Sequence, residues 1–256
     1  MAKLYSLGES ILPFQDGADW IIAADLNERV KRYQNGWNNP DIDSATTPET
    51  VWPEGGIVSF PSAAAATTIV SGSASDTAAG TGARTVLVEG LLAGYVANSE
   101  TVTLNGTTPV ALASNYLRIN RITVQTAGSG QTNAGKLTVA VGGTTANIVA
   151  VGKSISQSAF YTVAENYQKA LITYIFYNAS ESGTGHIEIE LVKILNGVRT
   201  VIQQYGLDLS GTSFLDRNMH TRPLVLEPKT DIVVNVTAST VNNLTFNGVW
   251  TLALFE

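Results

Sequence analysis

The chain has no cysteine among its 256 residues, so it can build neither a disulfide framework nor a thiolate metal site. Charge is scarce as well. Asp, Glu, Lys and Arg make up 14% of the sequence, where about 25% is ordinary for a globular domain. The 15 basic residues are scattered and outnumbered by 21 acidic ones, giving a formal net charge of −6. No basic run exists to neutralise a stretch of phosphates, which argues against nucleic acid as a partner. Histidine is limited to His186 and His220. Nucleophilic catalysis would have to pair one of them with a serine, and no Gly-x-Ser-x-Gly elbow is present to expose one. Long apolar runs are also missing. The uncharged stretches fall short of a membrane span, so no membrane partner is expected. Gly8, Glu9, Pro13 and Asp16 interrupt any secretory apolar region after Met1–Lys3. Synthesis and folding in a cytoplasm are therefore expected.

Thr, Ser, Ala, Asn and 23 Gly take the place of the missing charge. These residues suit strands, turns and an uncharged surface. Little like-charge repulsion keeps copies apart, so self-association is expected.

Near the start, Ile22, Leu26, Val30 and Tyr33 fall at spacings of four, four and three, predicting a helix over 18–34. Asp16 and Asp19 precede it and Lys31 and Arg32 close it, matching the helix dipole, with Asn35-Gly36 as a C-cap. Residues 36–56 hold three prolines and Trp37 and Trp52, and read as an ordered, non-repetitive connector. A lone amphipathic helix and two tryptophans make no core of their own. Residues 1–56 are thus expected to form an anchor, with Ile22, Leu26, Val30, Trp37 and Trp52 as its contacts on a partner.

From Ile57 onward the pattern is β. Arg84–Glu89, Glu100–Leu104 and Leu137–Val141 are short Thr- and Val-rich runs, and Asn105-Gly106 reads as a tight hairpin turn. Ala170–Tyr177 is apolar on both faces, as a central strand would be. Ile187, Ile189 and Leu191 alternate with Glu188 and Glu190; beyond Asn196-Gly197, Val198, Thr200 and Ile202 alternate again. Two alternating runs flanking Asn-Gly make the strongest hairpin signal in the chain. Asp231–Thr237 and Gly248–Phe255 complete the strands. The expected fold is mainly β: a first β-sandwich over 57–152 and a second, jelly-roll-like, over 158–256.

Candidate chemistry is thin. Glu188 and Glu190 share one face of a strand and read as its wet face rather than an acid–base pair. Asn38, Asn39, Asp41, Asp43 and Ser44 offer oxygen ligands, but the twelve-residue calcium pattern is absent, so turn chemistry is expected. Gly80-Thr81-Gly82-Ala83-Arg84 lacks the Gly-Lys-Ser/Thr ending of a phosphate loop. Exposed aromatics for a glycan, if any, would be Tyr174 and Tyr177, or Tyr161 and Tyr167. No catalytic residue, cofactor or metal is assigned.

The run from Ser73 through Asp76, Gly82 and Arg84 to Leu91, continuing Ser99-Glu-Thr-Val-Thr-Leu-Asn-Gly-Thr-Thr-Pro-Val110, resembles a segment of tailed-bacteriophage structural proteins. Ile119-Asn120-Arg121, Thr126–Gly130 and Asn133-Ala134-Gly135 extend the similarity over 71–152. The resemblance implies a non-enzymatic virion component, with other virion proteins such as capsid or tail components as partners and, together with the low charge, self-association as a homotrimer. A capsid-decorating or head-attached protein is the leading expectation. The alternatives are a tail-associated fibre or adaptor, or a module binding a carbohydrate or receptor such as a host-surface glycan.

Overall fold

A computed structural model describes residues 3–7, 10–14, 30–218 and 224–256, with side chains described for 30–172, 175–179, 184–210 and 224–256. β1 (Lys3–Leu7) and β2 (Ser10–Phe14) pair only with each other. The chain then enters β3 (Val30–Ile42) and the short β4 (Glu49–Thr50), both of which belong to a sheet completed some two hundred residues later.

Between them and that sheet's remaining strands lies a separate β unit. Its strands are β5 (Thr67–Ser71), β6 (Ala83–Leu92), β7 (Ala97–Thr103), β8 (Val110–Ala111), β9 (Tyr116–Ala127), β10 (Leu137–Val141) and β11 (Thr144–Val149). They form a four-stranded sheet in the order β11-β10-β5-β8 and a three-stranded sheet in the order β7-β6-β9. Alternation decides what faces inward. Ile69, Leu137, Val139 and Val141 from the first sheet meet Val86, Val88, Val102, Ile119 and Ile122 from the second in one buried cluster. Each such side chain contributes about 1.5–3 kcal/mol on burial.

The second unit is organised around one strand. After β12 (Phe160–Thr162), β13 (Lys169–Leu195) runs for 27 residues and turns back into β14 (Val198–Asn218). β15 (Leu224–Leu226), β16 (Asp231–Ser239) and β17 (Leu244–Phe255) follow. The first half of β13 pairs with β17 and the second half with β16, with a register break between Ser180 and Thr184. Ile172, Ile175 and Tyr177 from the first half join Ile187, Ile189 and Leu191 from the second in a single core. The eight-stranded sheet thus folds over its own apolar face.

Several expectations change here. The mainly β class holds, but the helix over 18–34 does not. Residues 18–29, with Ile22 and Leu26, lie outside the described residues, and Val30–Gln34 are strand. β3 pairs with β17 along its length, from Val30 opposite Phe255 to Ile42 opposite Leu244. Helix-like spacing over a few residues is a weak preference beside a full ladder and an apolar face to bury. Residues 36–42 and 49–50 of the expected connector are therefore sheet, and its tryptophans are already covered. Trp37 is 1% exposed, with its ring 5.4 Å from Tyr177 and 5.7 Å from Phe246. Trp52 sits edge-on to Phe160, and its indole N–H donates to the Gly55 carbonyl (2.8 Å). Val30 packs with Leu171, Ala253 and Phe255. None of the three presents apolar area to a partner.

Gly248 shows why Trp37 fits. It lies opposite Trp37 on β3 and Tyr177 on β13, and a Cβ there would come within 2.3 Å of the indole ring. Asn196-Gly197 makes the expected two-residue hairpin, both residues at positive φ (53° and 78°). Asn105-Gly106 does not. It carries the chain from β7 to β8, which pairs in the other sheet, and Gly106 is held by hydrogen bonds to Asp76 and Ser71.

The packing has a direct test. Trp37→Ala in the isolated chain should lower stability by about 3–5 kcal/mol in denaturant unfolding, and Gly248→Val should be comparably severe. Removing residues 1–29 should leave the unfolding midpoint within a few degrees of the parent. An unchanged midpoint for Trp37→Ala would show that its ring is not part of the core.

Candidate functional site

The two units meet along β9, where polar residues alternate inside an otherwise apolar strand. Arg118 reaches across to Asp231 at the start of β16 with two parallel bonds, Nε to Oδ1 at 2.8 Å and Nη2 to Oδ2 at 2.9 Å. The pair is nearly dry, with side chains 7% and 4% exposed. Isolated charges at such depth would cost several kcal/mol each, so the remaining valences matter. Arg118 Nη1 donates to the carbonyls of Pro61 and Leu117, and Thr162 Oγ1 donates to Asp231 Oδ1 at 2.6 Å. The rings of Phe60 and Tyr95 flank the guanidinium at 5.0 and 5.7 Å.

Two residues on, Asn120 exchanges two bonds with the Thr162 backbone, both 2.9 Å, as a strand partner would. Asn147 Nδ2 donates to the Ile119 carbonyl, and Ser158 Oγ donates to Asn147 Oδ1. Asn35 Nδ2 on β3 donates to the Ser158 carbonyl. The seam between the units is therefore a set of directed hydrogen bonds around one ion pair.

Beside this seam the units leave a cleft of about 470 Å³, within the size range of small-ligand sites. One wall comes from β6, β7 and β9, with Glu89, Ser99 and Arg121. The other comes from β3, β12 and the segment after β12, with Lys31, Arg32, Tyr33, Tyr161 and Tyr167. Tyr33 and Tyr161 rings lie 4.3 Å apart, and the Arg121 guanidinium lies 4.1 Å over Tyr33. The Tyr33 hydroxyl donates to the Asn120 carbonyl at 3.2 Å, tying the cleft to the seam. Burial pushes the Tyr33 phenol up to about 12 and the Tyr161 phenol well above its ordinary value. Both remain neutral donors at physiological pH.

A second polar hub lies in the first unit. Asp76, fully buried, accepts from Ser71 Oγ (2.5 Å) and from the backbone N–H groups of Ala83 (2.7 Å), Ala134 (2.8 Å) and Gly135 (2.9 Å). The loop over 71–82 is thus clamped to the loop over 128–135. Gly82 and Gly135 are needed for the close approach, since a Cβ at either would come within 2.4 Å of a neighbour. This Gly-rich run is a structural clamp.

The candidates read from the sequence meet different fates. Of the tyrosines, Tyr161 and Tyr167 line the cleft, Tyr177 is sealed in the core, and the Tyr174 side chain lies outside the described residues. His186 Nδ1 meets Asp208 Oδ1 at 2.6 Å on an exposed strand pair; His220 lies outside the described residues. Glu190 is bound by Arg199 and Glu188 accepts from Gln204, so both carboxylates cross-link the β13–β14 hairpin. Around Asp41–Ser44 the oxygens serve turns: Asn39 Oδ1 accepts from Asp41 N–H, and Asp43 Oδ1 from Asn243 N–H. Arg118, Asp231, Asn120 and Glu89 were not singled out by chemistry in the sequence. The available signal was Arg118, Asn120 and Arg121 set within an apolar strand.

Two measurements follow. Arg118→Met should cost about 3–5 kcal/mol, because it strands the Asp231 carboxylate. The double change Arg118→Met/Asp231→Leu should recover part of that loss. Tyr33 and Tyr116 both shift up to about 12 through burial, with Glu100 adding to the shift at Tyr116. The folded state therefore holds their protons more tightly than the unfolded chain, whose phenols titrate near 10. This contribution is whole below pH 10 and is lost as pH rises toward 12. Thermal unfolding across that window should show the decline, and Tyr33→Phe/Tyr116→Phe should reduce it.

No protein-family model matches the chain, and no curated protein matches it. Among solved structures it is similar to one of the Gx strain of infectious bursal disease virus, at 11% identity over 89% of this chain and 72% of that one, with a TM-score of 0.26. It is likewise similar to the VP2 subviral particle of infectious bursal disease virus, at 9% identity over 89% of this chain and 73% of that one, TM-score 0.26. These neighbours are viral, and at such scores they carry no ligand or role across. No helix among the described residues is long and apolar enough to cross a membrane.

Proposed function

We propose that the chain is a non-enzymatic structural component of a virion, displayed on a bacteriophage particle as a capsid-decorating or head-attached protein. The observation that carries this reading is the construction of its body. Two β units, each with its own apolar core, are locked together by a buried ion pair and directed hydrogen bonds. The result suits a protein that must persist as a stiff block on a particle surface. The phage-like segment over 71–152 coincides with the inserted unit, whose loops Asp76 clamps.

Attachment is assigned to residues 1–29, which hold Ile22 and Leu26, because Val30, Trp37 and Trp52 are spent on the chain's own cores. Absence of catalysis is supported by how the titratable groups are used: Arg118 with Asp231, Glu190 with Arg199, and His186 with Asp208 all serve the fold. A tail-associated position uses the same attachment and differs only in where the particle holds it.

Imaging of labelled copies on intact particles tests the reading, together with co-sedimentation of the full chain and a variant lacking residues 1–29. The full chain should decorate the head, while the shortened variant should fold but stay in the supernatant. Label confined to the tail would transfer the reading to a fibre or adaptor. Failure of the full chain to bind any particle would end it. Native mass measurement should give three copies.

A further inference from the structure

Asn35, Asn105, Asn196 and Asn247 are each followed by glycine, and that dipeptide has a chemistry of its own. Glycine has no side chain to shield its backbone nitrogen, so the nitrogen can attack the carboxamide of the asparagine before it. Attack requires that the glycine N–H be free to give up its proton. It also requires the peptide to rotate until the asparagine Cγ meets that nitrogen. The fold decides where both conditions hold.

At three of the sites they do not. Asn35-Gly36 lies inside β3, opposite Trp250 and Val249 of β17. The Asn35 side chain is buried, and its Nδ2 donates to the Ser158 carbonyl at 2.9 Å. Asn247-Gly248 lies in β17, paired with Asn178 and Tyr177 of β13 on one side and with Asn38 and Trp37 of β3 on the other. Rotation there would break two ladders and disturb the Trp37 core. At Asn105 the side chain is exposed but the attacking nitrogen is engaged. Gly106 is buried, and its N–H donates to the Asp76 carbonyl at 2.8 Å.

Asn196-Gly197 is placed differently. It is the whole connection between β13 and β14, beyond the Leu195–Val198 pair. The last residue of β13 that β16 covers is Ile194, opposite Asp231, so no third strand reaches the tip. Residues 196–201 are all exposed, and a Cβ on Gly197 would meet nothing within 4 Å. Among the described residues, no group accepts from the Gly197 N–H or bonds to the Asn196 carboxamide. Hairpin tips of this kind open locally at little cost.

We propose that Asn196 is a site of spontaneous deamidation, the one Asn-Gly of this chain that reacts while the protein is folded. The Gly197 nitrogen bonds to Asn196 Cγ, the Cγ–Nδ2 bond breaks, and the carboxamide nitrogen leaves as ammonia with the proton lost by Gly197. Water then adds to either carbonyl of the resulting succinimide and opens it to aspartate or isoaspartate. Both products add a negative charge at the tip. Isoaspartate also routes the main chain through Cγ, lengthening a turn that closes with Asn196 and Gly197 at φ 53° and 78°, so the Leu195–Val198 pairing is lost. The converted fraction grows with the time a copy has been folded, and an old hairpin tip differs from a new one.

The test incubates the intact chain at mildly alkaline pH in water enriched in oxygen-18, beside the same chain in urea, with peptide mapping by mass spectrometry. In urea the four sites should convert at comparable rates. In the folded chain Asn196 should convert at least about tenfold faster than Asn35, Asn105 or Asn247, which corresponds to about 1.4 kcal/mol of additional local opening at those three. Incorporated oxygen-18 dates the conversion to the incubation. Asn196→Gly, which suits the same turn, should abolish the fast conversion and leave the unfolding midpoint unchanged. Equal rates at the four sites in the folded chain, or faster conversion at any of the other three, would overturn the proposal. So would an Asn196 that stays intact in the folded chain after the urea sample has converted.

Discussion

Arg118 and Asp231 have been taken out of water together, and much of the molecule is arranged so that this is tolerable. Neither charge has solvent to fall back on, so every hydrogen-bonding direction around them must be filled by protein. The bidentate contact fills two, Thr162 a third, and the carbonyls of Pro61 and Leu117 accept from Nη1 of the guanidinium. These partners come from four separate stretches of chain. An ion pair of this kind adds little net stability compared with an apolar contact of the same size. What it adds is geometry, because any shift of one unit against the other leaves a charge uncompensated.

The cleft inherits that geometry. One wall belongs to the inserted unit and the other to the large sheet, and the Tyr33–Asn120 bond joins the cleft to the seam within two residues of Arg118. A binding surface divided between two units is usually adjustable. Here the buried pair fixes the separation of the walls, so the cleft has a defined width before any ligand arrives. The same economy appears at Asp76, where one buried carboxylate sets the path of two Gly-rich loops by accepting from three backbone N–H groups and a serine. In a chain with few charges, the ones placed inside act as fasteners.

This division of labour also explains the surface. Trp37 and Trp52 are enclosed and Glu188, Glu190 and His186 are tied into the β13–β14 hairpin, while Ile57, Val151, Val198 and Val225 remain exposed.

Features that depend on neighbours in the chain were legible in the sequence. Asn196-Gly197 turns as read because positive φ at both positions is a local property of those two residues. Ile187, Ile189 and Leu191 face inward as their alternation with glutamates requires. Tyr161 and Tyr167 were visible as candidate aromatics, though nothing nearby said that they share a cleft. The failures share one cause. Val30 and Tyr33 carry helical spacing, and Asn105-Gly106 carries a hairpin signature, but each is governed by a partner far along the chain: Phe255 and Leu252 for the first, the loop holding Asp76 for the second. The pair Arg118–Asp231 is of the same kind, assembled by docking rather than by adjacency. Sequence by itself determined the β class, the main strands and the strongest hairpin turn, because side-chain period and turn chemistry act over a few residues. Only the tertiary structure decided which strands share a sheet, where the tryptophans go and what the cleft contains, because pairing energy and burial are properties of surfaces that the chain brings together from a distance.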